Sequence, residues 1–303
     1  MEFLYLLEKI RIPGLNELML TVTTLGEETA FLVIALIMFW CVDKRKGYYL
    51  MAVGFTGTIM NQMMKLSFRV PRPWVIDPDF TILEQAREAA AGYSFPSGHT
   101  QFAVGTFGCL AATVRKKWVS WCCIAIAALV GFSRMYVGVH TPADVLVGAL
   151  CAVALVIGIK PLVFSGSEKT MKVLLGAMIG LAIVFLIYVE FWPFPGDMDP
   201  HNMESGLKNA YTMMGCLTGV AIVYVADRKW LNFQVEAPLW IQSMKVTIGL
   251  GLVLAVKELT RSPLEAIFHG HMIARGIRYF LIVIVAGILW PMCFRRLSKL
   301  AKK

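Results

Sequence analysis

The sequence predicts an all-α fold, a polytopic bundle of about nine transmembrane helices with short interfacial helices. Of its 303 residues, 57% are hydrophobic and only 16% are charged, whereas a soluble domain has about 25% charged residues. The mean hydropathy is +0.65, and the apolar residues form runs close to the roughly 20 that a bilayer requires. Basic residues occur in short clusters between these runs, as they do in cytoplasmic loops. The net charge of +9 is therefore not interpreted as a sign of nucleic-acid binding.

Nine apolar runs define the predicted spans. The first run is short, so the preceding stretch 13–26 (PGLNELMLTVTTLG) is expected to be an amphipathic segment at the membrane interface. The predicted spans are roughly 28–42, 48–68, 99–114, 118–135, 142–164, 171–191, 207–226, 241–259 and 272–294.

The distribution of basic residues predicts the orientation. One set of connections (43–47, 115–117, 160–172, 227–245 and the C-terminal tail) is mostly short and holds more than half of the 29 Lys and Arg residues. Such loops stay in the cytoplasm. With nine spans, the N-terminus is expected outside and the C-terminus inside.

Three polar stretches interrupt the apolar pattern: 65–73 (KLSFRVPRP), 93–101 (YSFPSGHTQ) and 133–144 (SRMYVGVHTPAD). The predicted topology brings all three to the outer side of the membrane. A random scatter of polar residues would not favour this convergence, so the sequence predicts one site there.

The stretch 133–144 ends in a helix start that carries a histidine. Thr141 suits the N-cap and Pro142 the first helical position, and Asp144 then completes a capping box. His140 comes within reach of the Asp144 carboxylate, and a histidine oriented in this way serves as a nucleophile or a base. Alternatively, Asp144 only caps the helix and His140 is a polar interface residue.

The stretch 93–101 contains a second candidate. Ser97 can cap the following helix, and the free N–H groups of Gly98 and His99 form an anion site at its N-terminus. Gly98 lets an anion approach the backbone, and His99 is placed to donate a proton to a leaving oxygen. The alternative is an ordinary capped helix start.

Three cations accompany these groups on the outer side. Arg72 and Arg134 can clamp phosphate oxygens in a bidentate way, and Lys65 supplies a point charge. The alternative is that they only snorkel to the interface. Carboxylates are too few for a two-metal phosphatase, and no HExxH motif is present. The residues therefore predict phosphoryl transfer without a metal or other cofactor, with charge stabilised by Arg and Lys.

The spacings K-x6-R-P (from Lys65), P-S-G-H (from Pro96) and S-R-x5-H-x3-D (from Ser133) resemble, in order, the three-part signature of the type 2 phosphatidic-acid phosphatase superfamily. The resemblance covers roughly residues 50–150. It implies a helical core, an extracytoplasmic site and a metal-free phosphohistidine mechanism. It implies these roles: His140 as nucleophile, Asp144 as its orienting partner, His99 as general acid and then base, and Lys65, Arg72, Ser97, Gly98 and Arg134 as the phosphate cradle.

Two regions fall outside the signature. Residues 1–165 are expected to form the phosphatase core, and residues 166–303 to add further transmembrane helices that are not an independent domain. Within the core, the pattern of 81–92 (TILEQAREAAAG) predicts a helix that ends at Gly92. Candidates for contact with the substrate headgroup, or alternatively for interfacial anchoring, are Lys257, Arg261, Arg275 and Arg278.

Together these observations predict an enzyme of a bacterial plasma membrane with its active site facing outside. It is expected to hydrolyse a lipid phosphate or diphosphate, with a membrane lipid as substrate and the lipid bilayer as partner. Candidate substrates are undecaprenyl diphosphate, phosphatidylglycerol phosphate, phosphatidate and a sphingoid-base phosphate. The alternatives are a glucose-6-phosphatase-like sugar-phosphate phosphatase, to which the topology is similar, a lipid phosphotransferase, and a binding or transport protein without turnover.

Overall fold

The computed structural model describes residues 1–90, 92–196 and 198–300, and all regular secondary structure in these ranges is helical. The chain divides into two compact units, each assembled from several segments. The first unit consists of Met1–Leu32, Tyr49–Pro161 and Asp197–Ser205, and the second of Val33–Tyr48, Leu162–Gly196 and Gly206–Lys303. The predicted division at residue 165 stays a prediction.

Most helices of the N-terminal half belong to the first unit. The segment α3 continues into a π-helical turn over Met38–Val42. In chain order the helices are α1 (Glu2–Lys9), α2 (Pro13–Thr24), α3 (Glu28–Ile37), α4 (Lys44–Phe68), α5 (Pro73–Ile76), α6 (Gly98–Thr113), α7 (Lys117–Tyr136) and α8 (Pro142–Phe164).

The helices after α8 belong mainly to the second unit. Two of them end in π-helical turns, over Asp227–Leu231 and Val285–Leu289. In chain order they are α9 (Glu168–Phe191), α10 (Pro200–Ala226), α11 (Leu239–Leu259), α12 (Arg261–Ile267), α13 (Ile273–Ile284), α14 (Trp290–Met292) and α15 (Phe294–Leu300).

Helices lie at all nine predicted positions, but nine membrane spans are not confirmed. In the part of the chain that the structure describes, six helices are long and apolar enough to cross a membrane, or seven if α2 and α3, bent by 52°, count as one span. Neither α4 nor α6 is among them. The helix α6 has only 16 residues, and the second half of α4 carries polar residues such as Asn61 and Lys65. Parts of two of the three polar stretches, residues 65–68 and 98–101, thus lie in these two helices.

Glycines allow α10 and α13 to pack at close range in the second unit. A Cβ atom added at Gly215 would collide with the carbonyl oxygen of Gly276, and one at Gly219 would lie 2.8 Å from a methyl group of Val283. Small residues four apart are a common device for close helix contact in membranes. The close contact between α10 and α13 holds the neighbouring side chains of these two helices in place.

The prediction of a helix over residues 81–92 is wrong. The segment instead forms two 3-10 turns, Glu84–Ala86 and Glu88–Ala90, and residue 91 lies outside the described residues. The Leu83 N–H donates to the Val137 carbonyl oxygen at 3.0 Å, which ties the segment to the end of α7. Tertiary packing overrides local helix propensity here, because Ala86 and Ala90 are buried in a cluster that includes Met19 and Tyr136.

Lys245 was expected in a basic cytoplasmic loop, and this assignment is also wrong. It lies within α11 and is fully buried. Its Nζ donates to the carbonyl oxygens of Val235 at 2.9 Å, Gln234 at 3.3 Å and Trp40 at 3.5 Å. The positive charge is therefore used inside the second unit as a hydrogen-bond donor to backbone carbonyls.

Candidate active site

The site begins where α7 ends and α8 starts. His140 and Asp144 are each 1% exposed. The Thr141 N–H donates to Asp144 Oδ2 at 2.7 Å, and the Asp144 N–H donates to Thr141 Oγ1 at 3.3 Å. These are the reciprocal bonds of a capping box, and they fix the carboxylate beside the preceding histidine.

His140 lies between a carboxylate and a guanidinium. Its Nδ1 is 3.4 Å from Asp144 Oδ2, and its Nε2 is 2.9 Å from Arg72 Nη1. The Ser94 hydroxyl also donates to Asp144 Oδ2, at 2.6 Å. A proton on Nδ1 facing Asp144 leaves the Nε2 lone pair on the side of Arg72, which is the tautomer a nitrogen nucleophile requires.

The electrostatic environment keeps this imidazole neutral. Burial first, and then the positive charges of Arg72, Arg134 and Lys65, lower the pKa of His140 well below its ordinary value of 6.5. Burial also lowers the pKa of Arg72 to about 10, an effect that Asp144 opposes. At neutral pH the histidine is therefore uncharged while the guanidinium remains a cation.

Arg72 is held firmly by the backbone. Its Nε donates to the Gly92 carbonyl oxygen and its Nη1 to the Val139 carbonyl oxygen, both at 2.9 Å. Gly92 has a φ of +77°, and the adjacent Tyr93 N–H donates to Asn202 Oδ1 at 2.9 Å. The guanidinium is therefore oriented toward His140 before any substrate binds.

The Ser97–Gly98–His99 turn is joined directly to the histidine motif. The Ser97 N–H donates to the Asp144 carbonyl oxygen at 2.9 Å, and Ser97 Oγ accepts from the Thr100 hydroxyl at 2.9 Å. His99 is half-buried, and its Nε2 is buried with no hydrogen-bond partner among the described residues. A buried ring nitrogen of this kind is typical of a site completed by a ligand.

Arg134 also has buried nitrogen atoms without a hydrogen-bond partner, and the whole residue is 0% exposed. Its Nη1 donates to Thr23 Oγ1 at 2.7 Å, but Nε and Nη2 are buried without a partner in the described part of the chain. Lys65 donates from Nζ to the Tyr93 carbonyl oxygen at 2.8 Å. Buried N–H groups left unpaired on a cation favour an anionic ligand, because leaving them unsatisfied is costly.

The structure brings together the residues of the three predicted stretches. Hydrogen bonds or close charge interactions connect the predicted site residues except Gly98, which adjoins Ser97 and His99 in the chain. All of them lie in the first unit: Lys65, Arg72, Ser97, Gly98, His99, Arg134, His140 and Asp144. The headgroup candidates all belong to the second unit, where Lys257 and Arg261 are exposed, Arg275 is half-buried and Arg278 is buried.

Sequence reasoning missed four polar residues that contribute to this site. Thr23, on α2, accepts from Arg134, and Ser94 bonds to Asp144. Below the Ser97 turn, Asn61 donates to Gln101 Oε1 at 2.9 Å. Ser94 and Gln101 lie inside a stretch already identified as polar, so that stretch carried a signal for them. Thr23 is one of several threonines in α2, and nothing local distinguishes it.

The turn between α2 and α3 also contacts the site. A Cβ added at Gly26 would lie 2.8 Å from the His99 carbonyl oxygen and 2.7 Å from a methyl group of Val130. Only glycine allows the turn to approach the backbone of His99 so closely. The N-terminal segment is therefore a wall of the site.

Comparison with known proteins is consistent with this geometry. The family model described as "PAP2 superfamily" matches residues 45–168. A second model, described as "PAP2 superfamily phosphatase, transmembrane extension", matches residues 211–303. The first match contains all three motifs, and the second covers most of the C-terminal helices.

Individual relatives are similar to part of this chain. Undecaprenyl-diphosphatase BcrC of Bacillus subtilis is 35% identical over 43% of this chain and 63% of its own length, so the chain spans just under two thirds of that relative. Phosphatidylglycerophosphatase B of Bacillus subtilis is 32% identical over 46% of this chain and 70% of its own length. The solved structure of a PAP2-type phosphatidylglycerolphosphate phosphatase from Bacillus subtilis aligns with a TM-score of 0.47 and 28% identity, over 55% of this chain and 84% of that chain.

Proposed function

This chain belongs to the PAP2 superfamily, and we propose that it is an integral membrane phosphatase that hydrolyses a lipid phosphate or diphosphate through a phosphohistidine at His140. The main support is the position of His140, fixed between Asp144 and Arg72 beside buried, unpartnered donors of Arg134. A phosphoryl group in contact with these cations would lie next to the Nε2 lone pair.

In the first step, the Nε2 lone pair of His140 attacks phosphorus and forms a P–N bond while the P–O bond to the leaving group breaks. Asp144 accepts the hydrogen bond from Nδ1–H and stabilises the imidazolium that develops. His99, in its imidazolium form once the anionic phosphoryl group is bound beside it, donates a proton to the departing oxygen and becomes neutral. In the second step, His99 takes a proton from water, the water oxygen attacks phosphorus, and the P–N bond breaks to release phosphate and neutral His140.

Charge on the transferred group is balanced by fixed donors. Lys65, Arg72 and Arg134 provide the cations. The backbone N–H groups of Gly98 and His99, at the start of α6, add the positive end of a helix. Ser97, whose Oγ accepts from Thr100, keeps its own hydroxyl hydrogen for a phosphoryl oxygen. Because preorganised cations and dipoles supply this stabilisation, the proposed mechanism requires no metal.

The relatives support a lipid substrate, since one is named as an undecaprenyl-diphosphatase and another as a phosphatidylglycerophosphatase. The basic loops favour an outward-facing site in a bacterial plasma membrane, with the N-terminus outside and the C-terminus in the cytoplasm. Undecaprenyl diphosphate and phosphatidylglycerol phosphate are the first substrates to test.

The test measures phosphate release by the full-length protein in lipid–detergent micelles. The panel contains these two lipids, phosphatidate, a sphingoid-base phosphate and glucose 6-phosphate, each with and without EDTA. His140→Ala should lower hydrolysis by on the order of 10⁴-fold or more, because the nucleophile is lost. It should also abolish the acid-labile phosphoenzyme that the proposal predicts for the wild type with ³²P-labelled substrate. The matched control is His201→Ala, whose side chain is exposed.

Several outcomes would contradict the proposal. Loss of activity in EDTA would exclude the metal-free mechanism, and a phosphoenzyme that persists in His140→Ala would exclude the nucleophile. Preference for glucose 6-phosphate would indicate the sugar-phosphate alternative. Transfer to an added alcohol, with no release of free phosphate, would indicate a phosphotransferase.

A further inference from the structure

A second buried arginine lies outside the motif region, on α13 in the second unit. Arg278 is 7% exposed, and Ala274, four residues earlier, is 4% exposed. Residues four apart share one helix face, so this face of α13 points into the protein. The segment Ile273–Leu297 is one of the helices long and apolar enough to cross a membrane. An ionisable residue facing inward in such a helix usually marks a functional site.

The guanidinium of Arg278 is incompletely satisfied. Its Nε is buried and has no hydrogen-bond partner among the described residues. Arg275, three residues earlier, donates from Nε to the Thr212 hydroxyl at 2.8 Å. Neither arginine forms an ion pair with a carboxylate in the described part of the second unit. Two cations on one helix face repel each other, so this arrangement favours a shared anion.

The surrounding backbone holds this pair in place. A Cβ added at Gly276 would lie 3.1 Å from the Tyr211 carbonyl oxygen, so α10 and α13 touch between the two arginines. Thr212 is 3% exposed, and the Tyr279 ring lies 5.2 Å from the Arg275 guanidinium carbon and 5.5 Å from that of Arg278. The donors are therefore preorganised rather than mobile.

We propose that Arg278, Arg275 and Thr212 form a second anion site that binds the phosphate group of an anionic membrane lipid. Arginine forks match phosphate oxygens in a bidentate way. A lipid is favoured over a soluble anion because the donors project from an apolar helix, where an anion arrives together with acyl chains. The proposal does not depend on the hydrolytic reaction.

The four headgroup candidates from the sequence thus separate into two kinds. Lys257 and Arg261 are exposed, and Arg261 Nε lies 3.3 Å from Glu265 Oε1. They lack the burial and the unpaired donor that distinguish Arg278. Arg261 therefore provides a matched control: an arginine of the same unit that should not bind the lipid.

The experiment is native mass spectrometry of the full-length protein, released from micelles that contain phosphatidylglycerol or phosphatidylcholine. The wild type and His140→Ala should both retain one phosphatidylglycerol, so failure of the proposed hydrolysis leaves this result unchanged. Arg278→Gln should weaken retention about tenfold or more, because a charge-assisted donor is lost. Arg275→Gln should act in the same direction, and Arg261→Gln should match the wild type.

Arg275→Gln also keeps the test valid if Arg278→Gln does not fold. Retention at the wild-type level in both variants would overturn the proposal, as would equal retention of phosphatidylcholine. Displacement of phosphatidylglycerol by millimolar inorganic phosphate would assign the site to a soluble anion and overturn the choice of a lipid.

Discussion

Among the described residues, each unit of the molecule has one long cationic side chain with no exposed surface, and the two cations differ in their hydrogen-bond partners. Arg134 in the first unit and Lys245 in the second are both 0% exposed. Arg134 has one hydrogen bond, to Thr23, and two nitrogens without a partner in the described residues. Lys245 donates to three backbone carbonyls, and its Nζ lies 4.6 Å from the centre of the Phe294 ring.

The comparison shows that burial of a charge does not by itself indicate function. Both cations lose hydration on burial. Lys245 directs its donors to carbonyl oxygens of the protein, whereas two nitrogens of Arg134 have no partner among the described residues. An anionic ligand can satisfy these nitrogens, so the unsatisfied donors of Arg134 indicate a binding role. If this distinction is correct, removing Arg134 should mainly reduce activity, and removing Lys245 should mainly reduce stability.

The largest effect is expected at Arg134. Arg134→Gln removes a fixed cation from the proposed phosphate cradle, so kcat/KM for the lipid phosphate should fall by about 10²–10³-fold. The variant should keep its thermal stability, because the substitution also removes a buried charge whose Nε and Nη2 have no hydrogen-bond partner among the described residues. Steady-state kinetics and thermal unfolding in the same micelles provide the two measurements. Loss of stability with unchanged kcat/KM would reverse the comparison.

A smaller effect is expected at Thr23, which touches Arg134 but not the reacting atoms. Thr23→Val keeps the shape and removes the acceptor of the 2.7 Å bond, so kcat/KM should fall by about tenfold. The matched control is Thr24→Val, because the hydroxyl of Thr24 is exposed and donates to Thr21 within the same helix. If Thr23 acts only by positioning Arg134, the double variant Thr23→Val/Arg134→Gln should have the same kcat/KM as Arg134→Gln alone. Additive losses would show that the two residues act independently.

The sequence predicted the local parts of this architecture well. Within the described residues, helices lie at the nine positions that the apolar runs predicted. The proximity of His140 to Asp144 follows from their spacing at a helix start, because residues four apart meet there. The three stretches were expected at one site from topology and from a family resemblance, and the structure does bring them together. Their catalytic roles stay predictions.

Contacts between residues that are far apart in the sequence could not be predicted. Arg134 and Thr23 are 111 residues apart, and no local pattern selects one threonine of α2. The segment 81–92 has strong helical propensity, but its alanines are buried against α7 instead. Lys245 was expected in a loop because it is basic. Its carbonyl partners lie elsewhere in the chain, and no local pattern indicates them. Each error arose where tertiary packing outweighed local preference.

The variant Lys245→Met tests the other half of the comparison between Arg134 and Lys245. This change leaves the carbonyl oxygens of Trp40, Gln234 and Val235 without their shared donor, so the free energy of unfolding should fall by about 2 kcal/mol. Activity per folded molecule should stay close to that of the wild type. Chemical or thermal unfolding in micelles measures the first quantity, and kcat/KM the second. A loss of kcat/KM similar to that of Arg134→Gln would mean that the second unit also takes part in the reaction.

The smallest expected effect concerns the pH dependence of the first unit. The nucleophile must be neutral, and its environment lowers the pKa of His140 well below 6.5, so the acid limb of the wild-type kcat/KM profile should lie below pH 6.5. Arg72→Gln removes a positive charge that disfavours the imidazolium. The pKa of His140 then rises, and the acid limb of the profile should move to higher pH.

Profiles of kcat/KM between about pH 4 and pH 8, with one substrate for both proteins, separate this shift from ionisation of the substrate. The control is Arg87→Gln, since Arg87 is paired with Glu84 and its side chain is exposed. A limb that stays in place or moves to lower pH would show that Arg72 does not hold His140 neutral. The cations of the first unit would then act on the phosphoryl group alone, and the comparison with Lys245 would rest on binding rather than on activation of the nucleophile.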